Sequence, residues 1–197
     1  RSADKLEALA GELGDSALAV PGDVTDWDDH QQMVGETLER FGRIDAAFAN
    51  AGFGARRGFL EETPEQWREM VLTNVLGPAL TIRALLPHFL ENDRGHFLIT
   101  SSVAGRRALP GSLYSATKHA ATAIGEALRT ELRQMHENFT VRVTLLEPGM
   151  VDTPFFDNKP EGALEPEDIA AAVMFALEQP QRVDVNEMLI RPVQQPG

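Results

Sequence analysis

Short apolar runs alternate along this chain with longer stretches in which apolar residues return every three or four positions. That contrast separates buried strands from amphipathic helices. Over residues 2–13, Leu6, Leu9, Ala10 and Leu13 share one helical stripe, and Gly14 ends it. Residues 17–20 form a short apolar run closed by Pro21-Gly22, expected as a strand. Thr25 is expected to cap a helix reaching about Phe41, with Gly42 closing it. Residues 44–49 are almost unbroken apolar, as in a parallel strand buried on both faces. Thr63-Pro64-Glu65-Gln66 reads as an N-cap, a proline at the first helical position and a capping-box glutamine. The helix it opens should reach about Glu91, bending or breaking at Gly77-Pro78. Strands are predicted at 96–100, 140–146 and 187–191, and helices at 112–136 and 166–179.

Strand–helix alternation of this kind predicts an α/β fold with a parallel sheet and right-handed crossovers. In such sheets ligands bind at the carboxyl ends of the strands. Asp23-Val24, Asn50-Ala51-Gly52, Ser101-Ser102 and Pro148-Gly149 all fall just after predicted strands. The length of 197 residues suits one domain with a substantial core. A net charge of −12 argues against nucleic acid or an anionic membrane as main partner. Zero cysteines exclude a disulfide framework, a Cys-ligated metal and a Cys nucleophile, and no metal site is expected. No apolar run approaches the roughly 18 residues of a membrane span. No secretory signal opens the chain, so a cytoplasmic location is expected.

The chain has one tyrosine, Tyr114, and only three lysines, one of them four residues on at Lys118. Positions i and i+4 share a helix face. A neighbouring ammonium favours tyrosinate and is expected to lower the phenol pKa from about 10, making an acid and base usable near neutrality. Alone, the pair is better explained as an amphipathic tyrosine and a solvated lysine on a helix surface. Ser102 follows a strand and can hold a substrate oxygen beside the phenol, with Ser101 as the alternative. Asn74 lies inside a predicted helix, where asparagine is a poor choice unless it serves a polar contact or a kink.

With these residues in place the chain resembles the short-chain dehydrogenase/reductase family. Six motifs carry the resemblance in the family's order: Gly22-Asp23-Val24-Thr25, Ala49-Asn50-Ala51-Gly52, Asn74, Ile99-Thr100-Ser101-Ser102-Val103-Ala104-Gly105, Tyr114-Ser115-Ala116-Thr117-Lys118, and Glu147-Pro148-Gly149-Met150-Val151-Asp152-Thr153. Ala49 stands where the family usually has a first asparagine. The resemblance implies a Rossmann-like doubly wound sheet and a nicotinamide-dependent oxidoreductase acting on a small carbonyl or alcohol. It implies that Tyr114 exchanges the proton, that Lys118 lowers the Tyr114 pKa and bonds the nicotinamide ribose, and that Ser102 orients the substrate oxygen. It implies that Asn74 supports a water linking Lys118 to solvent. Cofactor contacts are implied at Asp23, Val24, Asn50, Ala51, Gly52, Pro148, Gly149, Val151 and Thr153, with Tyr114 and Lys118.

The family opens with a strand, a Gly-rich turn, a helix and a second strand, the turn cradling the pyrophosphate. No Gly-x-x-x-Gly-x-Gly run follows a strand here. The chain is therefore expected to lack its opening βαβ unit, leaving a strand edge unpaired and an apolar face open. Arg1 lies near the place where a basic residue accommodates a 2′-phosphate, and with the stretch 185–192 it favours NADP over NAD. That stretch resembles NADP-dependent members acting on hydroxy acids. Phe155 and Phe156 should line the substrate side or pack against the last helix. Arg56-Arg57 and Arg106-Arg107 could attract a carboxylate, though solvated surface arginines are the simpler expectation. Apolar residues on the helices near 74–91 and 112–136 suggest a homodimer or homotetramer. Two rival functions stand: a non-catalytic relative of the same fold, and a serine hydrolase, for which no Gly-x-Ser-x-Gly elbow is present.

Overall fold

The computed structural model describes residues 2–54, 58–110, 113–156 and 160–195. Its strands form one parallel sheet in the order β1 (Ala47–Ala49), β2 (Gly95–Thr100), β3 (Val141–Pro148), β4 (Glu187–Ile190). Register pairs Ala47 with Phe97, Phe97 with Val143, and Leu145 with Glu187. β2 and β3 are buried along almost their whole length, as unbroken apolar runs in a parallel sheet require.

Side-chain alternation sends Phe97, Ile99, Val143 and Leu145 to one face. There they pack against Leu85 and Phe89 of α4 (Gly77–Glu91) and Ala121, Leu128 and Leu132 of α5 (Tyr114–Gln134). Leu98 and Leu146 turn to the other face and meet Ala172 and Ala176 of α6 (Pro166–Glu178). Helices on both faces of one parallel sheet make a Rossmann-like fold.

Local chemistry explains several element ends. Thr63 caps α3 (Pro64–Val71) in a complete capping box with Gln66. α2 (Trp27–Phe41) is capped by Asp26, not Thr25: the Asp26 carboxylate accepts from the Asp28 and Asp29 N–H groups, while Thr25 is turned to Asp23. Gly77-Pro78 does not break the helix. The chain passes from α3 to α4 through a π-turn at Leu72–Leu76. Pro78 has no N–H for the carbonyl four residues back, at Asn74, and the wider turn absorbs that loss. The helical path Pro64–Glu91 is 28 residues long and apolar enough by composition to cross a membrane. Here it supplies core, with Met70, Leu85 and Phe89 buried.

Two expectations fail for want of neighbours. Residues 17–20 form no strand, because no described strand lies beside them to complete a ladder. β1 keeps only the last part of the apolar run 44–49, where β2 pairs with it. Helix α1 (Ala3–Leu13) forms as predicted, yet Leu9 and Leu13 of its stripe are exposed. The outer edge of β1 pairs with no described strand, Phe48 is 43% exposed, and a groove of about 280 Å³ runs between that edge and helices α2 and α4.

Candidate active site

The carboxyl end of β2 delivers Thr100, Ser101 and Ser102 to one place. Ser102 has extended backbone, and its hydroxyl accepts the Ala104 N–H at 3.1 Å, capping a 3-10 turn at Val103–Gly105. Ser101 turns the other way: its hydroxyl donates to the Lys118 carbonyl at 2.9 Å and lies 2.7 Å from the Thr122 hydroxyl. Ser101 thus fastens β2 to α5, and Ser102 is the serine whose hydroxyl acts on the Tyr114 phenol, favouring its ionised form. The Ser102 hydroxyl donates to the Pro148 carbonyl at 3.5 Å.

Tyr114 is the first residue of α5, and Lys118 follows one turn later on the same side. Lys118 is only 4% exposed; its ammonium donates to the Thr100 carbonyl at 2.9 Å and stands 5.9 Å from the Tyr114 ring centre. Burial lowers the Lys118 pKa to about 8. The phenol itself departs from expectation. Burial holds the Tyr114 pKa above its ordinary value, and the Ser102 hydroxyl offsets that only in part. The physical reason is desolvation: the site withholds from tyrosinate the water that would stabilise it, and at this separation the ammonium does not compensate.

Asn74 sits in the π-turn and is buried. Its carboxamide spans three groups: Oδ1 accepts the Phe53 N–H at 3.1 Å, and Nδ2 donates to the Phe53 carbonyl at 2.9 Å and to the Thr117 hydroxyl at 3.1 Å. Both amide hydrogens are engaged, so a water held by this side chain has only Oδ1 to donate to. Gly52 lies against this cluster. A Cβ there would stand 3.1 Å from Asn74 Oδ1 and 3.5 Å from Lys118 Nζ, so the missing side chain makes room for the protein's own polar groups. Asn50 accepts from the Thr100 hydroxyl at 2.8 Å, tying the ends of β1 and β2 together; Ala51 beside it is exposed.

The remaining predicted contacts lie at the carboxyl ends of the strands or in the turn before α2. Asp23 Oδ1 accepts from the Thr25 N–H and hydroxyl at 2.9 and 2.8 Å, closing that turn. The Val24 carbonyl accepts from His30 Nε2 at 2.9 Å. Gly149 donates to Ile190 at the end of β4. Pro148 precedes it as the last residue of β3. Val151 makes an isolated parallel bridge with Leu164. Thr153 accepts, through its carbonyl, the Phe156 N–H at 3.2 Å. Arg1, Arg56, Arg57 and Lys159 lie outside the described residues. Arg106 is exposed to solvent, as expected of a surface arginine, but it is not free for a substrate carboxylate: its guanidinium donates to buried Glu147 at 2.7 Å and also pairs with Glu187.

Sequence reasoning missed several contributors. His30 fixes Val24 from inside α2, and its six-residue separation carries no motif. Thr117 links Asn74 to the Tyr114 carbonyl and was legible only as a filler between Tyr114 and Lys118. Gln195 accepts the Met150 N–H from a distant part of the chain. Phe155, by contrast, was expected to line the substrate side or pack against the last helix, and it is brought over the Tyr114 ring, their centres 5.6 Å apart.

The chain matches the short chain dehydrogenase family over residues 1–163. It is 37% identical to an uncharacterized oxidoreductase of Staphylococcus saprophyticus, over 98% of this chain and 84% of that one. Among solved structures it resembles an alcohol dehydrogenase from the archaeon Thermococcus sibiricus complexed with 5-hydroxy-NADP, with TM-score 0.86 and 35% identity, covering 100% of this chain and 85% of that one. It also resembles the closed form of a serine dehydrogenase complexed with NADP+, with TM-score 0.90 and 29% identity, covering 100% and 84%. Order of motifs, parallel sheet and relatives agree, and the chain belongs to the short-chain dehydrogenase family of oxidoreductases.

Proposed function

We propose that this oxidoreductase reduces a small carbonyl compound, or oxidises the corresponding alcohol, with Tyr114 as the proton donor and acceptor. One observation carries the reading: a half-buried phenol on which the Ser102 hydroxyl acts, with a buried ammonium one helical turn away. In the reducing direction the Tyr114 O–H gives its proton to the substrate oxygen. Ser102 holds that oxygen and stabilises the charge gathering on it. Lys118 returns charge balance beside the phenol as the proton leaves.

The donor set fits the polar ribose and carboxamide end of a nicotinamide dinucleotide. Lys118 brings three N–H groups to a site where the Thr100 carbonyl takes one. Asn50, Ala51 and Gly52 present exposed backbone next to it. Asp23, Val24, Pro148, Gly149, Val151 and Thr153 are the further residues proposed to hold the cofactor. When bound, that group supplies or takes the hydride. NADP is favoured, because two similar structures carry it or its 5-hydroxy form. A hydroxy acid or its keto form is the favoured substrate class, in line with the resemblance of residues 185–192 and of the serine dehydrogenase. A homodimer or homotetramer is proposed from the half-exposed apolar residues Val71 and Leu76 on the α3–α4 helical path.

A panel of keto and hydroxy acids, simple ketones and alcohols, assayed with NADPH and NADH, tests this reading. Tyr114→Phe should lower turnover roughly 10²–10⁴-fold while cofactor binding persists. Unchanged turnover in that variant sinks the assignment.

A further inference from the structure

The loop after β3 crosses the site and places an aromatic ring where the proposed chemistry occurs. Its root is fixed: Asp152 donates to the Leu164 carbonyl at 2.8 Å, and Leu164 to the Met150 carbonyl at 2.9 Å. The chain then turns at Thr153, with the Phe156 N–H returning to the Thr153 carbonyl. Phe155 projects from this turn onto the Tyr114 ring, centres 5.6 Å apart and planes 58° apart. Phe156 meets Phe155 edge-on at 5.1 Å. The far edge of the Phe155 ring rests on Gly54. A Cβ at residue 54 would stand 2.6 Å from Phe155 Cζ and 2.9 Å from Cε1, closer than atoms tolerate. Gly54 is in turn located by its neighbour Phe53, whose N–H and carbonyl are both held by Asn74. The same asparagine that braces α5 through Thr117 therefore sets the floor on which Phe155 sits.

We propose that Phe155 covers the Tyr114 phenol in a seat that exists only because residue 54 has no side chain, and that this ring selects substrates with a flat apolar group beside the reacting carbonyl. The proposal rests on the oxidoreductase reading above and names a specificity determinant for it. The ring is 41% exposed, so its outer face borders solvent while its inner face meets the phenol. A substrate reaching the Tyr114 hydroxyl must pass beside this face. Aromatic rings stack or meet edge to face, so an aryl or other planar substituent can rest on Phe155, whereas a small aliphatic ketone offers little surface to it.

Two substitutions remove the cover by different routes. Phe155→Ala deletes the ring. Gly54→Ala keeps it but evicts it, and the obstructed atoms are the tip of a half-exposed side chain, so the fold is retained. Tyr114 is the only tyrosine and no cysteine competes, so nitration by tetranitromethane, read as a mass increase on the proteolytic peptide that carries residue 114 and so apart from the two tryptophans, reports access to that phenol. Both variants should nitrate about threefold faster or more, and the double variant no faster than Phe155→Ala. Ligand-observed NMR with acetophenone and butanone reads selection without turnover. The natural chain should prefer acetophenone roughly tenfold, and both variants should bring the ratio within about threefold. Nitration unchanged in both variants, or an acetophenone preference that survives them, overturns the proposal. Failure of the oxidoreductase reading shows separately, as no turnover of any carbonyl by the natural chain with either cofactor.

Discussion

Lys118 shows how far a single side chain can work against stability in favour of chemistry. Burial holds its pKa at about 8, against an ordinary 10.5. Because the folded value is the lower one, the charged ammonium weakens the fold below about pH 8, and that penalty fades as pH rises from 8 to 10.5. Lys118→Met removes the buried charge but leaves the Thr100 carbonyl without its donor. The variant is therefore expected to be more stable at pH 7 by about 1–2 kcal/mol, with the advantage gone near pH 10.5, and to lose turnover. Urea denaturation at the two pH values checks this. A variant less stable at pH 7 would show that the Thr100 bond outweighs desolvation. The pairing of Tyr114 with Lys118 was legible because helical spacing is local. The raised phenol pKa was not, since burial is set by Ser102, Phe155 and the end of β2, none of them neighbours in sequence.

Among the elements, α6 depends on a residue from another part of the chain. Arg142 of β3 is 8% exposed and donates to the carbonyls of Ala176, Leu177, Gln179 and Val183. Carbonyls at a helix end have no partners within the helix, and this guanidinium supplies them. Arg142→Met should destabilise the fold by roughly 2–3 kcal/mol and speed hydrogen exchange in the second half of α6, leaving β2 and β3 protected. Unchanged exchange in α6 would show that the helix end is held by its packing instead. A β-strand arginine gave no sequence signal of this role. The α3 capping box did, because Thr63, Pro64 and Gln66 act on each other within one turn. The π-turn lay between these cases: Gly77-Pro78 marked a disturbance, but only the contact of Asn74 with Phe53 and Thr117 shows what the wider turn achieves.

At the scale of the whole molecule, the sheet core carries a titratable group that ties the fold to pH. His96 in β2 is 1% exposed, with Nε2 hydrogen-bonded to the Thr144 hydroxyl at 2.8 Å and Nδ1 buried without a partner. Burial, with a smaller contribution from Arg142, lowers its pKa to about 4 from an ordinary 6.5. The neutral ring contributes full stability above about pH 6.5, and that contribution is lost as pH falls from there to 4. The loss amounts to at most about 3 kcal/mol. His96→Gln should flatten this acid limb in thermal melts between pH 6.5 and 4, and an identical limb in both proteins would show that carboxylates govern it.

The sequence by itself determined which segments become helices and strands where capping, periodicity or an unbroken apolar run acts over a few residues. It also determined the family, because six motifs in order cannot be scattered by chance along one chain, and the pairing of Tyr114 with Lys118 follows from helical spacing alone. Only the tertiary structure decided that residues 17–20 are not a strand, since a strand exists through its neighbour. It alone turned Ser102 to the phenol and Ser101 to α5, joined Arg106 to Glu147, and set Phe155 on Gly54 over the tyrosine. These are contacts between residues tens of positions apart, fixed by how the helices pack on the sheet, and hydrophobic periodicity says which face is buried without saying what it will meet.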